Sequence, residues 1–250
     1  MHSDTQKDTP KLAKIRAILA KAEDPAASPE EAQAYFAKAA ELMSRYGIER
    51  AMLAEAQPET DKPVERVVFE KGSYLLDRVE LLMSIVNALG GQSVRWRVYD
   101  WESGKYVQKI KMYGYESVLD RAEMLYTSLL LQAFNGMKQG RPMRGESTTA
   151  YRKAWLTGFR YTVTQRLSQA EQMAVEEANR QLGGRSAELV LARREDAIRA
   201  IFKAAHPKLR TAPKRRLTGS GWREGAEAGE RADLGTSARL NSGRRQAVVA

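Results

Sequence analysis

Residues 92–114 read QSVRWRVYDWESGKYVQKIKMYG, and the fold class turns on this stretch. Most of the chain before and after it repeats with helical spacing. Here the period falls to two. Gln92 to Tyr99 and Tyr106 to Tyr113 alternate between apolar and polar positions, and Asp100-Trp101-Glu102-Ser103-Gly104 between them carries turn residues. Two alternating runs around a loop of about five residues predict an antiparallel β-hairpin. Val94, Trp96 and Val98 are expected on one face, together with Ile110, Met112 and Tyr106, packed on neighbouring helices. Arg95, Arg97, Tyr99, Lys109, Lys111 and Tyr113 are expected on the other. Cations bind phosphates and exposed rings stack on bases, so that second face suits nucleic acid. A solvated sheet face whose lysines discourage edge pairing would show the same alternation.

Working outward, Leu75, Val79, Leu82, Met83, Val86 and Leu89 share one helical face and end at Gly90-Gly91. A helix is expected from about Ser117 to Met137, and Val64 to Phe69 reads as a strand. Residues 64–137 therefore read (β)αββα. After a Gly/Pro/Arg loop, Tyr151, Trp155 and Phe159 recur every four residues, which marks a core stripe on a long helix from Thr148 to Asn179. A further helix runs from Ser186 to Ala205. Toward the N-terminus, Leu12, Ile15, Leu19 and Ala22 line one face of a first helix. Ser28-Pro29-Glu30-Glu31 gives a helix start with a capping box, and Gly47 gives a stop. Ile48 to Ala56 would form a third short helix.

The expected fold class is thus α+β, mostly helical: an N-terminal helical module, an αββα layer with a two-stranded antiparallel hairpin, long C-terminal helices and a basic disordered tail. The boundaries are 1–10 disordered, 11–56 helical module, 57–63 linker, 64–205 α+β domain and 206–250 tail.

The N-terminal residues carry a resemblance. Lys14-Ile15-Arg16-Ala17-Ile18-Leu19-Ala20-Lys21-Ala22, followed by Ser28, Glu31-Ala32, Ala39, Leu42-Met43 and Tyr46-Gly47-Ile48, resembles a domain family of unknown function catalogued as family 2786, found in actinobacteria and phages. The match covers residues from about 11 to 53, under a fifth of the chain. The helix–hairpin–helix region after it is similar to what usually follows that domain. The resemblance implies a bacterial or phage source and no settled activity, and it supplies no catalytic residues.

Composition narrows the chemistry. The 250 residues are 43% hydrophobic, enough for a packed core. There is no cysteine, which removes disulfides, thiol nucleophiles and cysteine-based metal sites. The only histidines, His2 and His206, lack metal-ligand spacing. Glu30-Glu31 and Glu176-Glu177 are adjacent and diverge on a helix, so neither makes a paired-carboxylate site. No phosphate-binding loop is present: Gly219, Gly221 and Gly225 have the wrong spacing and follow no strand. No catalytic residues, metal or cofactor are assigned. The start of the chain lacks a signal-peptide pattern, and no apolar run could span a bilayer, so a cytoplasmic location without membrane contact is expected.

Net charge is +10 and unevenly placed. Residues 1–147 hold 21 basic and 21 acidic side chains, whereas residues 148–250 hold 20 and 10. Such asymmetry suggests an acidic partner. Lys214, Arg215 and Arg216, flanked by prolines, would add non-specific phosphate affinity. Gly221, Gly225 and Gly229, spaced by fours, would make a smooth stripe on a helix. A flexible tail is the preferred reading there, because each helical glycine costs about 1 kcal/mol. The leading function is a non-catalytic nucleic-acid-binding accessory protein. The alternatives are a protein–protein adaptor of phage–host or plasmid biology, and a hydrolase whose carboxylates meet only in the fold.

Overall fold

The computed structural model describes residues 10–22, 24, 29–102, 104–182, 186–210, 215–232 and 234. The chain divides into two compact units: residues 1–46 with 233–250, and residues 47–232.

In the first unit, α1 (Pro10–Ala22) buries Ile15 and Leu19, one turn apart. Helix α2 (Pro29–Ala56) buries Ala39, Met43 and Tyr46 with the same periodicity. Ser28, the expected cap, lies outside the described residues. Helix α2 does not stop at Gly47 but continues to Ala56, so no separate third helix exists. The glycine serves close approach instead of termination. A Cβ there would lie 2.1 Å from Nη1 of Arg121.

The second unit holds β1 (Pro63–Glu70), α3 (Leu75–Ala88), β2 (Gln92–Asp100), β3 (Lys105–Tyr115), α4 (Glu116–Gln139), α5 (Thr148–Leu182), α6 (Ser186–Ala205) and α7 (Trp222–Arg231). The fold class is α+β and mostly helical, as the alternating and helical periods indicated. The hairpin gains a third strand, because β1 pairs antiparallel with β3, giving the order β1-β3-β2.

Register decides which side chains share a face. Asp100 pairs with Lys105, so the loop has four residues, Trp101 to Gly104, and not five. A one-residue shift moves every side chain to the opposite face of a strand. Opposed residues of antiparallel strands point the same way. Ser93, Arg95, Arg97 and Tyr99 therefore share a face with Met112, Ile110, Gln108 and Tyr106. Val94, Trp96 and Val98 share the other with Lys111, Lys109 and Val107. Helices α3 and α4 pack on the first face, where Ile110 and Met112 are fully buried. Helix α6 covers one end of the second, where Val94, Tyr113 and Ile198 form a core flanked by Tyr115 and Phe202.

The segment expected to be a disordered tail is folded over much of its described length. Ser220 donates from its backbone N–H and its hydroxyl to the carboxylate of Glu146, at 2.6 and 2.7 Å. Helix α7 then lies against α5 with its glycines inward. A Cβ on Gly225 would meet the carbonyl oxygen of Trp155 at 1.9 Å, and one on Gly158 would meet that of Trp222 at 2.0 Å. Arg166 of α5 donates to the carbonyls of Gly229 and Ala232 at the end of α7. Contact with α5 thus offsets the intrinsic cost of glycine in α7. Residues 235–250 lie outside the described residues.

Candidate nucleic-acid interface

The six hairpin residues expected on one binding face are divided by the register. Arg95, Arg97 and Tyr99 stand on the face that α3 and α4 cover in part. Lys109, Lys111 and Tyr113 stand on the face that α6 covers in part. No single surface carries all six.

On the α6 side, the sheet is open beyond the end of that helix. The row Phe69–Lys109–Trp96 crosses all three strands at one level, since Lys109 pairs with both neighbours. Phe69 is 59% exposed and Trp96 38%. The Lys109 ammonium lies 5.8 Å from the centroid of the Phe69 ring, within cation–π range. The next row is Val67–Lys111–Val94. Val67 is exposed, and Lys111 reaches Glu65 at 2.6 Å. That contact, with a second from the Tyr113 hydroxyl, holds the lysine above its ordinary pKa, so it keeps its charge. Tyr113 itself is only 1% exposed. Its hydroxyl is hydrogen-bonded to Nε2 of His206 at 2.8 Å, and its ring packs edge-on against Phe202. It is a core residue here, and cannot stack on a ligand. His206 also lies 5.6 Å from the Trp96 ring, tilted at 53° to it.

Phe69 and Trp96 were missed by the sequence reading. Trp96 was placed with the core because it alternates with Val94 and Val98, whereas the register sets it opposite Lys109. Phe69 was seen only as a strand residue, and nothing local joins it to the hairpin. The signal that could have found it is the run Val64–Phe69, apolar enough to be a third strand against Tyr106–Gly114.

On the opposite face, the far end of the hairpin extends beyond its helices. Arg97 lies 3.8 Å over the Tyr106 ring. Tyr106 meets Tyr99 edge-on at 5.2 Å, and Tyr99 meets Trp101 edge-on at 4.8 Å. All three rings are exposed. Arg95 is half-buried and donates to Gln108 at 3.2 Å.

The C-terminal cations have mixed fates. Lys214 lies outside the described residues. Arg215 turns inward, donating to Asp77 at 2.9 Å and Glu80 at 3.2 Å. Burial raises the Asp77 pKa, and the Arg215 guanidinium opposes that rise. Arg216 is exposed. Arg194 is buried between Asp61 and the face of Tyr115, and Arg166 is committed to capping α7. Part of the C-terminal positive charge is therefore the counter-charge of the fold. The charge asymmetry overstates what is free to meet a partner.

Each of the four buried carboxylates among the described residues is held by an arginine: Asp61 by Arg194, Glu70 by Arg78, Asp77 by Arg215 and Asp120 by Arg66. No cluster of three or more His, Asp or Glu suited to a metal occurs among the described residues. A cavity of about 490 Å³ lies between the end of α2 and α3 to α6. Its lining includes Glu171, Glu176, Glu188 and Glu195 against Arg121 and Arg194, a balance that disfavours an anion. Among the described residues no helix is long and apolar enough to cross a membrane.

Residues 11–50 match the family model described as a protein of unknown function (DUF2786). No curated protein and no solved structure matches the chain.

Proposed function

We propose that the chain binds single-stranded nucleic acid across the open part of its three-stranded sheet, as an accessory protein without catalysis. The observation that carries this reading is the row Phe69–Lys109–Trp96: ring, cation, ring, on three neighbouring strands of one face. Neighbouring strands lie about 4.8 Å apart, so the two rings stand on strands about 10 Å apart. Each ring offers a face to one base, and Lys109 and Lys111 meet the phosphates between and beside them. Bases inside a duplex are already stacked and paired, so the arrangement favours single strands. Arg216 and the residues after Leu234 would add charge without readout.

Fluorescence anisotropy with labelled oligothymidylate and oligouridylate, at low and moderate salt, tests the reading. Wild-type protein should bind in a salt-sensitive way. Phe69→Ala together with Trp96→Ala should weaken binding by tenfold or more, since stacking contributes about 1–3 kcal/mol per base. Absence of binding at low salt would overturn the proposal and favour a protein partner for the same surface.

A further inference from the structure

His206 stands at the border of the open sheet, directly after α6 ends at Ala205. Its ring packs against Tyr113, Phe202 and Trp96, with centroids 5.5, 5.1 and 5.6 Å away. The half-buried imidazole thus touches both the core and a ring of the exposed row. The Tyr113 hydroxyl joins two partners: Lys111 donates to it, and Nε2 of His206 lies 2.8 Å from it. An ammonium can only donate, so the Tyr113 proton points to Nε2, and the imidazole accepts it in its neutral form. An imidazolium has no acceptor to offer. Protonation of His206 therefore breaks this bond and sets a second cation against the hydroxyl that Lys111 already holds.

The charges around the ring define what would favour its protonated form. From β3 it meets Lys111 through Tyr113, and Lys109 pairs with its neighbour Trp96. From β2, Trp96 is uncharged. From β1, Glu65 is engaged by Lys111. On α6, Lys203 lies one turn back, and Lys208 and Arg210 follow in the chain, all three exposed. Among the described residues no carboxylate is paired with His206. The Trp96 ring and the carbonyl end of α6 both suit a cation. The missing element is an anion, and a phosphate lying over Lys109 and Lys111 supplies one.

We infer that His206 is a proton-linked contact of the sheet site, neutral and bonded to Tyr113 in the free protein, protonated and facing phosphate when a single strand is bound. This inference rests on the single-strand reading above. Binding then takes up a proton. A bound phosphate stabilises the charged ring, so the added affinity is present at acid pH and lost as pH rises through the range where imidazole titrates, about 6.5. Full-length protein would be titrated with labelled oligothymidylate, whose bases do not titrate in that range, from about pH 8 to about pH 5.5 at constant salt. Wild type should bind about fivefold more tightly at the acid end, a coupling of ordinary size. His206→Gln should show no such gain. Tyr113→Phe keeps the ring and removes the competing hydroxyl, so its gain should begin at higher pH. In ring-carbon NMR of wild type, the His206 titration midpoint should move up when oligothymidylate is added. Equal pH dependence in wild type and His206→Gln, or a midpoint that oligothymidylate does not move, overturns this inference and leaves the single-strand reading standing. Failure to bind at low salt at any pH overturns both.

Discussion

Two series of aromatic residues behave in opposite ways. On α5, Tyr151, Trp155 and Phe159 are all buried; the last two stack in parallel at 5.5 Å, and the Tyr151 hydroxyl donates to Glu224 of α7. On the hairpin, Tyr99, Trp101 and Tyr106 touch one another by their edges and remain exposed. The first series is covered because a partner helix without side chains on its inner face can approach to backbone contact. The second extends past the helices that cover the rest of its sheet. Residue type does not separate the buried rings from the exposed ones here. What separates them is whether the fold brings something to cover the ring.

That contrast can be broken most forcefully at Trp155. Trp155→Ala should cost about 3–5 kcal/mol, whereas Trp101→Ala should change stability by less than about 0.5 kcal/mol. Thermal melts by circular dichroism would read the pair, with a large drop in Tm expected for the first alone. If Trp101→Ala lowers Tm as much, the hairpin rings are structural after all.

A smaller effect is expected at the helix contact that covers α5. Gly225→Val places a side chain against the Trp155 carbonyl, so α7 must move away, at a cost of about 1–3 kcal/mol. Limited proteolysis should then cut within residues 215–232 in the variant and spare the wild type.

The two faces of the hairpin can be told apart by salt. Lys109→Ala with Lys111→Ala should reduce the slope of log affinity against log salt for a single strand by about 1.4, at about 0.7 per phosphate contact. Arg95→Ala with Arg97→Ala, on the opposite face, should leave that slope nearly unchanged. Equal effects from both pairs would show that the strand wraps the hairpin edge.

The smallest expected effect is a pH dependence where the chain approaches α7. The hydrogen bonds from Ser220 hold the Glu146 carboxyl below its ordinary pKa. A lowered pKa means that the folded state favours the ionised form. The contribution is present above the unfolded pKa and lost as pH falls through the folded one. Amide hydrogen exchange around Ser220 should therefore accelerate, relative to the rest of the chain, once the pH drops below the ordinary carboxylate range. Glu146→Gln should remove that pH dependence.

How far the sequence could be read varied with the distance over which each feature is decided. The aromatic stripe of α5 was legible because i, i+4 spacing is itself the geometry of a helix face. The hairpin was legible from its period of two. Helix α7 was visible only as a possible short helix near Gly221 to Ala232, marked by spaced glycines. Its stability comes from α5, more than sixty residues away, and intrinsic propensity argued against it. The candidate surface of the sheet was half legible: Lys109 and Lys111 stood out by alternation, but the rings beside them did not. Trp96 was lost to a strand register that apolar alternation does not set, and Phe69 to a strand pairing across forty residues. Arg215 was read as a phosphate-binding cation because its partners Asp77 and Glu80 lie far back in the chain.

By itself, the sequence determined the helical and alternating periods, the mostly helical α+β class and the absence of cysteine chemistry, since each depends on residue type or near-neighbour spacing. The tertiary structure alone decided which faces of the strands are covered, which cations are neutralised inside the fold, and which aromatic rings are left to meet a partner. Those outcomes depend on register and on long-range packing, where one residue of loop or one helix docked from afar reverses the environment of a side chain without altering its neighbours in sequence.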